Sequence, residues 1–240
     1  MGMPITIEVI DASVTEALFN DVFDYFTYVD ETFSPFKETS EISKINKGEV
    51  LPEGYSDDMR TILRLCEETT QQTQGYFNII TPSGLRNPSG VVKGWAINNA
   101  ARIIADRGYD NFYVEAGGDI EVSRKEGLLP WRVGIRNPFN LQENVAILGL
   151  LKGGVATSGT YIRGQHIYDP FQPNNELHEI VSLTVIGPNI YDADRFATAA
   201  FAMQHDGIMF IEKLEGFEGY SIDAQGIATK TSGFNSYVIT

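Results

Sequence analysis

Residues 112–151 read FYVEAGGDIEVSRKEGLLPWRVGIRNPFNLQENVAILGLL. Four short runs rich in β-branched and aromatic residues stand in this stretch, at Phe112–Glu115, Ile120–Ser123, Trp131–Ile135 and Ala146–Leu151. Each is bounded by Gly, Pro or Asn, the punctuation of strands. Strands that follow one another without a strict strand–helix–strand rhythm favour an α+β fold over a doubly wound parallel sheet.

Upstream, Ile5, Ile7 and Val9 alternate with Thr6 and Glu8, the pattern of a half-buried strand. Ser13 with Glu16 three positions on predicts a capping box. A helical stripe follows at Leu18, Val22, Phe26 and Val29. Ser56 is set to cap a second helix carrying Met59, Ile62, Leu63, Cys66 and Thr69, stopped by Gly75. A third helix is predicted from about Trp95 to Arg107. Downstream, Ser182–Ile186 reads as a strand, Asp192–Met203 as a fourth helix, and Tyr220–Thr240 as a hairpin around Ala224-Gln225-Gly226 followed by a last strand. No repeat and no linker divides the chain, so residues 1–240 are expected to form a single domain.

The 240 residues carry 18 Lys plus Arg against 32 Asp plus Glu, a net charge of −14. A surface so acidic argues against non-specific binding to nucleic acid or to an anionic membrane. It leaves room for an anionic small ligand where one basic group or metal ion reverses the local field. The single cysteine, Cys66, excludes an internal disulfide and a multi-cysteine zinc site, and reads as a helix-core residue. No apolar run approaches the roughly 20 residues of a membrane span. With no basic-then-apolar leader at residues 1–10, a cytoplasmic protein is expected; a trimmed exported form fits the same chain.

The chain has no G-x-x-x-x-G-K-[ST] loop, no G-x-G-x-x-G and no G-x-S-x-G. It has instead three Gly-rich polar segments, at Ser83–Gly94, Ala116–Asp119 and Gly153–Gly164, where backbone N–H groups can approach a phosphate or a flat ring. Lys93 leads into the third helix, where the helix dipole favours an anion. Asp194 and Thr198 are four apart, so a carboxylate and a hydroxyl share a helix face and offer hard oxygens to Mg²⁺. His166, ahead of Tyr168-Asp169-Pro170, suits hydrogen bonding or acid–base work. Taken singly, these residues also read as tight turns, a solvated lysine and an N-cap aspartate over a core threonine.

In order along the chain, the segments resemble the FAD:protein FMN transferase family, the ApbE family. The resemblance runs through Met1-Gly2-Met3, Phe33-Ser34-Pro35-Phe36, Ser40–Asn46, Gly75-Tyr76-Phe77-Asn78 and Gly90–Trp95. It continues through Glu115–Ile120, Ala156-Thr157-Ser158-Gly159, His166–Pro170 and Asp194–Thr198. It implies an α+β fold of two intertwined subdomains of mixed or antiparallel sheet with flanking helices, and FAD between them. It implies FAD contacts at Met1, Phe36, Tyr76, Phe77, Asn78, Asn87, Lys93, Gly117, Gly118, Asp119, Thr157, Ser158, His166 and Tyr168. It places Mg²⁺ on Gly90, Asp194, Ala197 and Thr198, and gives His166, Asp194 and Lys93 to catalysis. The implied reaction moves FMN from FAD to a Ser or Thr hydroxyl of an acceptor protein bearing a flavinylation motif, and releases AMP. Four positions depart from the family pattern: Asn78 and Asn87 stand for Asp, Phe36 for Tyr and Glu115 for Asn. The lost carboxylates leave two alternatives in view, an FAD pyrophosphatase giving FMN and AMP, and a flavin-binding protein without catalysis.

Overall fold

The computed structural model describes residues 2–11, 13–159, 167–172 and 176–239. In chain order the elements are β1 (Ile5–Val9), α1 (Glu16–Phe33), α2 (Glu41–Asn46), α3 (Asp57–Gln72), α4 (Ser89–Asp106), β2 (Phe112–Ala116) and β3 (Asp119–Ser123). There follow β4 (Trp131–Asn137), β5 (Asn140–Leu150), β6 (Lys152–Gly159), β7 (Ile180–Gly187), α5 (Ile190–Ala202), α6 (His205–Glu212), β8 (Glu218–Asp223) and β9 (Ala228–Lys230). Seven strands form one sheet in the order β1-β2-β3-β6-β7-β8-β9, and β4 and β5 form a separate hairpin. Every pairing is antiparallel, as expected of an α+β chain.

Strand periodicity sorts the side chains to two faces. Phe112, Val114 and Ala116 of β2, Ala156 of β6 and Val185 of β7 join the helices in the main core. Their neighbours Tyr113, Val155 and Ile186 turn the other way, onto a second cluster with Ile135, Leu148 and Leu150 of the β4–β5 hairpin. The large sheet is thus a middle layer, with helices on one face and the hairpin on the other. Cys66 is a buried core residue of α3, and burial pushes its thiol up to about 12. Among the described residues no helix is long and apolar enough to cross a membrane.

Several expectations shift. Helix α1 begins at Glu16 with Thr15 as its N-cap and no side-chain cap bond, so the Ser13–Glu16 capping box does not form. Ser56 does cap α3, its hydroxyl accepting the Met59 N–H at 3.1 Å. Helix α4 starts six residues earlier than Trp95, at Ser89. The Asn87 side chain accepts the Ser89 N–H at 3.1 Å, a local turn bond that launches the helix ahead of its first large apolar residue. The segment expected as a Gly-rich turn from Gly153 is instead strand β6, and its Thr157 and Ser158 lie inside the sheet. Its glycines serve packing: a Cβ on Gly154 would stand 2.3 Å from the backbone of Ile190. The tail ends in a 3₁₀ turn, Phe234–Tyr237, and a single bridge from Val238 to Leu148, in place of a last strand.

Candidate functional site

Helices α4 and α5 cross at unusually close range. A Cβ on Gly94 would meet Asp194 Cβ and the Ile190 carbonyl oxygen at 2.8 Å each; one on Gly90 would meet Thr198 Cγ2 at 3.2 Å. Positions 90 and 94 on α4, and 190, 194 and 198 on α5, repeat at four-residue spacing, so each set forms one stripe. Two bare glycines let the α5 stripe seat directly on α4.

At this contact the Asp194 carboxylate is almost fully buried. Its Oδ2 accepts the Gly94 N–H at 2.8 Å, and its Oδ1 lies 3.1 Å from Lys93 Nζ. Lys93 also pairs with the buried Asp119, reached from β3. Asp119 in turn accepts the Thr157 N–H of β6 at 3.0 Å through its other oxygen. One ammonium therefore serves two carboxyl groups. Burial raises the Asp194 pKa, the Lys93 ammonium opposes the rise, and the Asp119 carboxylate adds to it.

Thr198, one turn beyond Asp194, differs from five other threonines in or at the end of helices α1 and α3. Thr27, Thr32, Thr69, Thr70 and Thr73 each donate the hydroxyl to the carbonyl four residues back. Among the described residues the Thr198 hydroxyl has no hydrogen-bond partner, and Thr198 lines a cavity of about 410 Å³.

That cavity gathers most of the residues singled out by sequence. Lys93, Asp194, Thr198 and Gly90 share its wall with Thr157 and Ser158 of β6, and with Gly117 of the β2–β3 turn. Phe36, Tyr76, Phe77, Asn78, Asn87 and Tyr168 line the rest. Phe36 is 91% exposed, a large apolar ring at the rim with little protein against it. Tyr168 donates its hydroxyl to the Ile80 carbonyl at 2.8 Å, tying its segment to the loop after Asn78. Asn78 and Asn87 each accept a backbone N–H two residues on, at 2.8 and 3.1 Å. Their side-chain oxygens thus hold turns that an Asp would hold equally; Asn differs from it in charge and in carrying an NH₂ donor on the other terminal atom.

Lys93 sits in the second turn of α4, past the helix start, and its counter-charges are Asp119 and Asp194 themselves. Asp119 and Gly118 lie outside the cavity lining: Asp119 acts through Lys93, and the Gly118 N–H is taken by Glu115 at 2.6 Å. The side chain of Ala197 is buried in the main core, so the metal contact expected there rests on its backbone carbonyl. His178 and His205 are exposed. Met1 and His166 lie outside the described residues.

Three contributors were not singled out by sequence. Gly94 was part of a motif, and its backbone proves to be the partner of Asp194. Glu121 of β3 accepts the Ile190 N–H at the start of α5, and burial pushes its carboxyl up to about 7. Arg195 binds Asp192 and Thr69, so its charge joins α5 to α3 and faces away from the cavity. A glutamate among strand residues and an arginine beside a motif carry no local signal of these tertiary roles.

Comparison with known proteins places these features in a group. The model of the ApbE family matches residues 1–84 and 87–221. An FAD:protein FMN transferase of Escherichia coli K12 is 28% identical over 194 residues, covering 75% of this chain and 55% of the relative. The chain therefore spans about half the length of that curated relative. Among solved structures, the flavin transferase ApbE from Vibrio cholerae superposes with a TM-score of 0.85 at 20% identity, over 99% of this chain and 96% of the other. The ApbE protein from Thermotoga maritima gives 0.86 at 20% identity, over 100% and 97%. At those identities the likeness speaks to the fold: mixed helices and antiparallel sheet.

Proposed function

The chain belongs to the ApbE family, and from that premise we propose that it transfers FMN from FAD to a Ser or Thr hydroxyl of an acceptor protein and releases AMP. The observation that carries this reading is the juxtaposition, in one wall of an aromatic-lined cavity, of Lys93, buried Asp194 and the unpartnered Thr198 hydroxyl. Residues from Gly2 to Thr198 line that one cavity, which supports reading 1–240 as a single working unit.

The donor set suits Mg²⁺. Asp194 brings a carboxylate and Thr198 a free hydroxyl, and Gly90, packed on Thr198, has a backbone carbonyl to offer; hard oxygens of this kind are what Mg²⁺ takes. Among the described residues no three His, Cys, Asp or Glu side chains converge, so a cation bound here would complete its shell with neutral oxygens and substrate phosphates. When bound, Mg²⁺ supplies Lewis-acid stabilisation of charge on the pyrophosphate oxygens.

The chain's own groups then divide the work. The cavity walls, with Phe36, Tyr76 and Tyr168, hold the flavin end. Lys93, fixed by Asp119, keeps a cation at the reacting phosphates without reorganisation. The acceptor hydroxyl attacks the FMN-side phosphorus; the bond to the bridging oxygen breaks, and AMP leaves with that oxygen. The hydroxyl proton goes to a base, which we assign to His166. The support is positional in sequence: the residues that follow it, Ile167 and Tyr168, line the cavity. Positioning and electrostatics suffice for such a transfer.

The test is incubation with FAD and Mg²⁺, with and without an acceptor carrying an exposed Ser/Thr motif. Covalent flavin fluorescence on the acceptor is expected. Free FMN and AMP irrespective of acceptor would replace transfer by hydrolysis, and unaltered FAD would reduce the protein to a flavin binder.

A further inference from the structure

Glu121 of β3 lies directly opposite Gly154 of β6 in the sheet register. Paired residues share a sheet face, and this face carries the start of α5. Gly154 has no side chain there, and a Cβ would stand 2.3 Å from both N and Cα of Ile190. Beside this bare patch Glu121 extends its carboxyl and accepts the Ile190 N–H at 2.5 Å. Asn189 completes the end of the helix by accepting the Asp192 N–H at 2.9 Å. The Ile190 carbonyl faces α4, within 2.8 Å of where a Cβ on Gly94 would be. The first residue of α5 is thus held by the sheet on one side and by α4 on the other. One turn later on the same stripe stands Asp194, bonded to Gly94 and Lys93.

We propose that Glu121 is a positioning residue for the site: by holding the Ile190 amide on β3 it fixes the height of α5 over the sheet, and with it the alignment of Asp194 with Gly94 and Lys93. The functional consequence rests on the metal role proposed above for Asp194; the positioning itself does not. Removing the acceptor frees the first turn of α5, and Asp194 moves with it. A glutamine keeps an acceptor at the same reach, whereas an aspartate is one methylene too short.

The experiment reads the Gly94 amide by NMR hydrogen exchange in the ligand-free chain, for wild type, Glu121→Gln, Glu121→Asp and Glu121→Met, with Asp194→Asn as reference. Gly94 exchange should rise at least about tenfold in Glu121→Asp and Glu121→Met, the equivalent of one typical hydrogen bond lost. Its resonance should move toward that of Asp194→Asn, while Glu121→Gln stays at wild type. Mn²⁺ titration followed by EPR is the second readout, with about a tenfold weakening expected in the same two variants and rescue by glutamine. Glu121→Asp keeps the proposal testable if Glu121→Met does not fold. Wild-type Gly94 exchange in Glu121→Asp overturns the positioning role, and so does an equal change in Glu121→Gln, which would assign the effect to charge. Failure of the wild type to bind Mn²⁺ would instead strike the metal reading, with the Gly94 exchange still deciding the role of Glu121.

Discussion

Gly94→Ala inserts one methyl group into the α4–α5 contact. The new carbon would lie 2.8 Å from Asp194 Cβ, 2.8 Å from the Ile190 carbonyl oxygen and 3.0 Å from Tyr191 Cα. Carbon contacts relax only at about 3.5 Å, so the helices must part by roughly 0.7 Å. None of the three atoms is the far end of a flexible side chain, and the cost falls near the top of the 1–3 kcal/mol range for overpacking, about 3 kcal/mol. Alanine recovers about 1 kcal/mol in helix propensity, which leaves a net loss of about 2 kcal/mol. The same displacement carries Asp194 away from the Gly94 N–H and Lys93. Misplacement on the order of 1 Å costs about 10²-fold in rate, so transfer should fall by about 10- to 100-fold. Urea denaturation measures the first number, and covalent flavin fluorescence on an acceptor under saturating FAD and Mg²⁺ the second. Gly90→Ala is the graded companion: its Cβ meets side-chain atoms of Phe77 and Thr198, at 2.9 and 3.2 Å, which can yield. It should lose less stability than Gly94→Ala. A Gly94→Ala protein with wild-type stability and wild-type transfer would refute the close helix contact as what holds Asp194.

Thr198→Val removes only a hydroxyl that has no partner among the described residues, so stability should stay within about 0.5 kcal/mol. Mg²⁺ affinity by isothermal titration should weaken; unchanged affinity removes Thr198 from the metal set. Lys93→Met leaves the buried carboxylates of Asp119 and Asp194 without their cation, a loss expected at about 3–5 kcal/mol. Its thermal unfolding should therefore change before FAD affinity is considered, and unaltered unfolding would show that the triad carries no net energy. Glu121, raised by burial from 4.5 to about 7, takes up a proton on folding between those values. Its contribution is thus fully present below pH 4.5 and lost as the pH rises through 7. At 1.36 kcal/mol per unit that is at most about 3 kcal/mol. Stability profiles of wild type and Glu121→Gln should diverge across that window in favour of the variant, and parallel profiles would contradict the shift.

The sequence alone determined the class of the fold and, through the family resemblance, pointed to many of the residues that line the cavity. Alternation at Ile5–Val9 and the β-branched and aromatic runs at Phe112–Glu115 and Ile120–Ser123 encode strands locally, because such residues suit a pleated, half-buried surface. The 3.6-residue stripe of Leu18, Val22, Phe26 and Val29 encodes α1 in the same way. Asp194 and Thr198 were legible as a pair because four residues is one helical turn whatever the helix packs against. Other features had no local form. Lys93 read as a cation awaiting an anion at a helix start, because nothing near it in sequence shows that Asp119 and Asp194 converge on it from β3 and α5. The glycines at 153 and 154 read as a turn, since a bare backbone looks the same whether it bends or admits a helix. Glu121 looked like an ordinary strand residue. Only the tertiary structure decided these points, because each depends on two backbones approaching closer than side chains allow, and on what a buried charge finds across that gap.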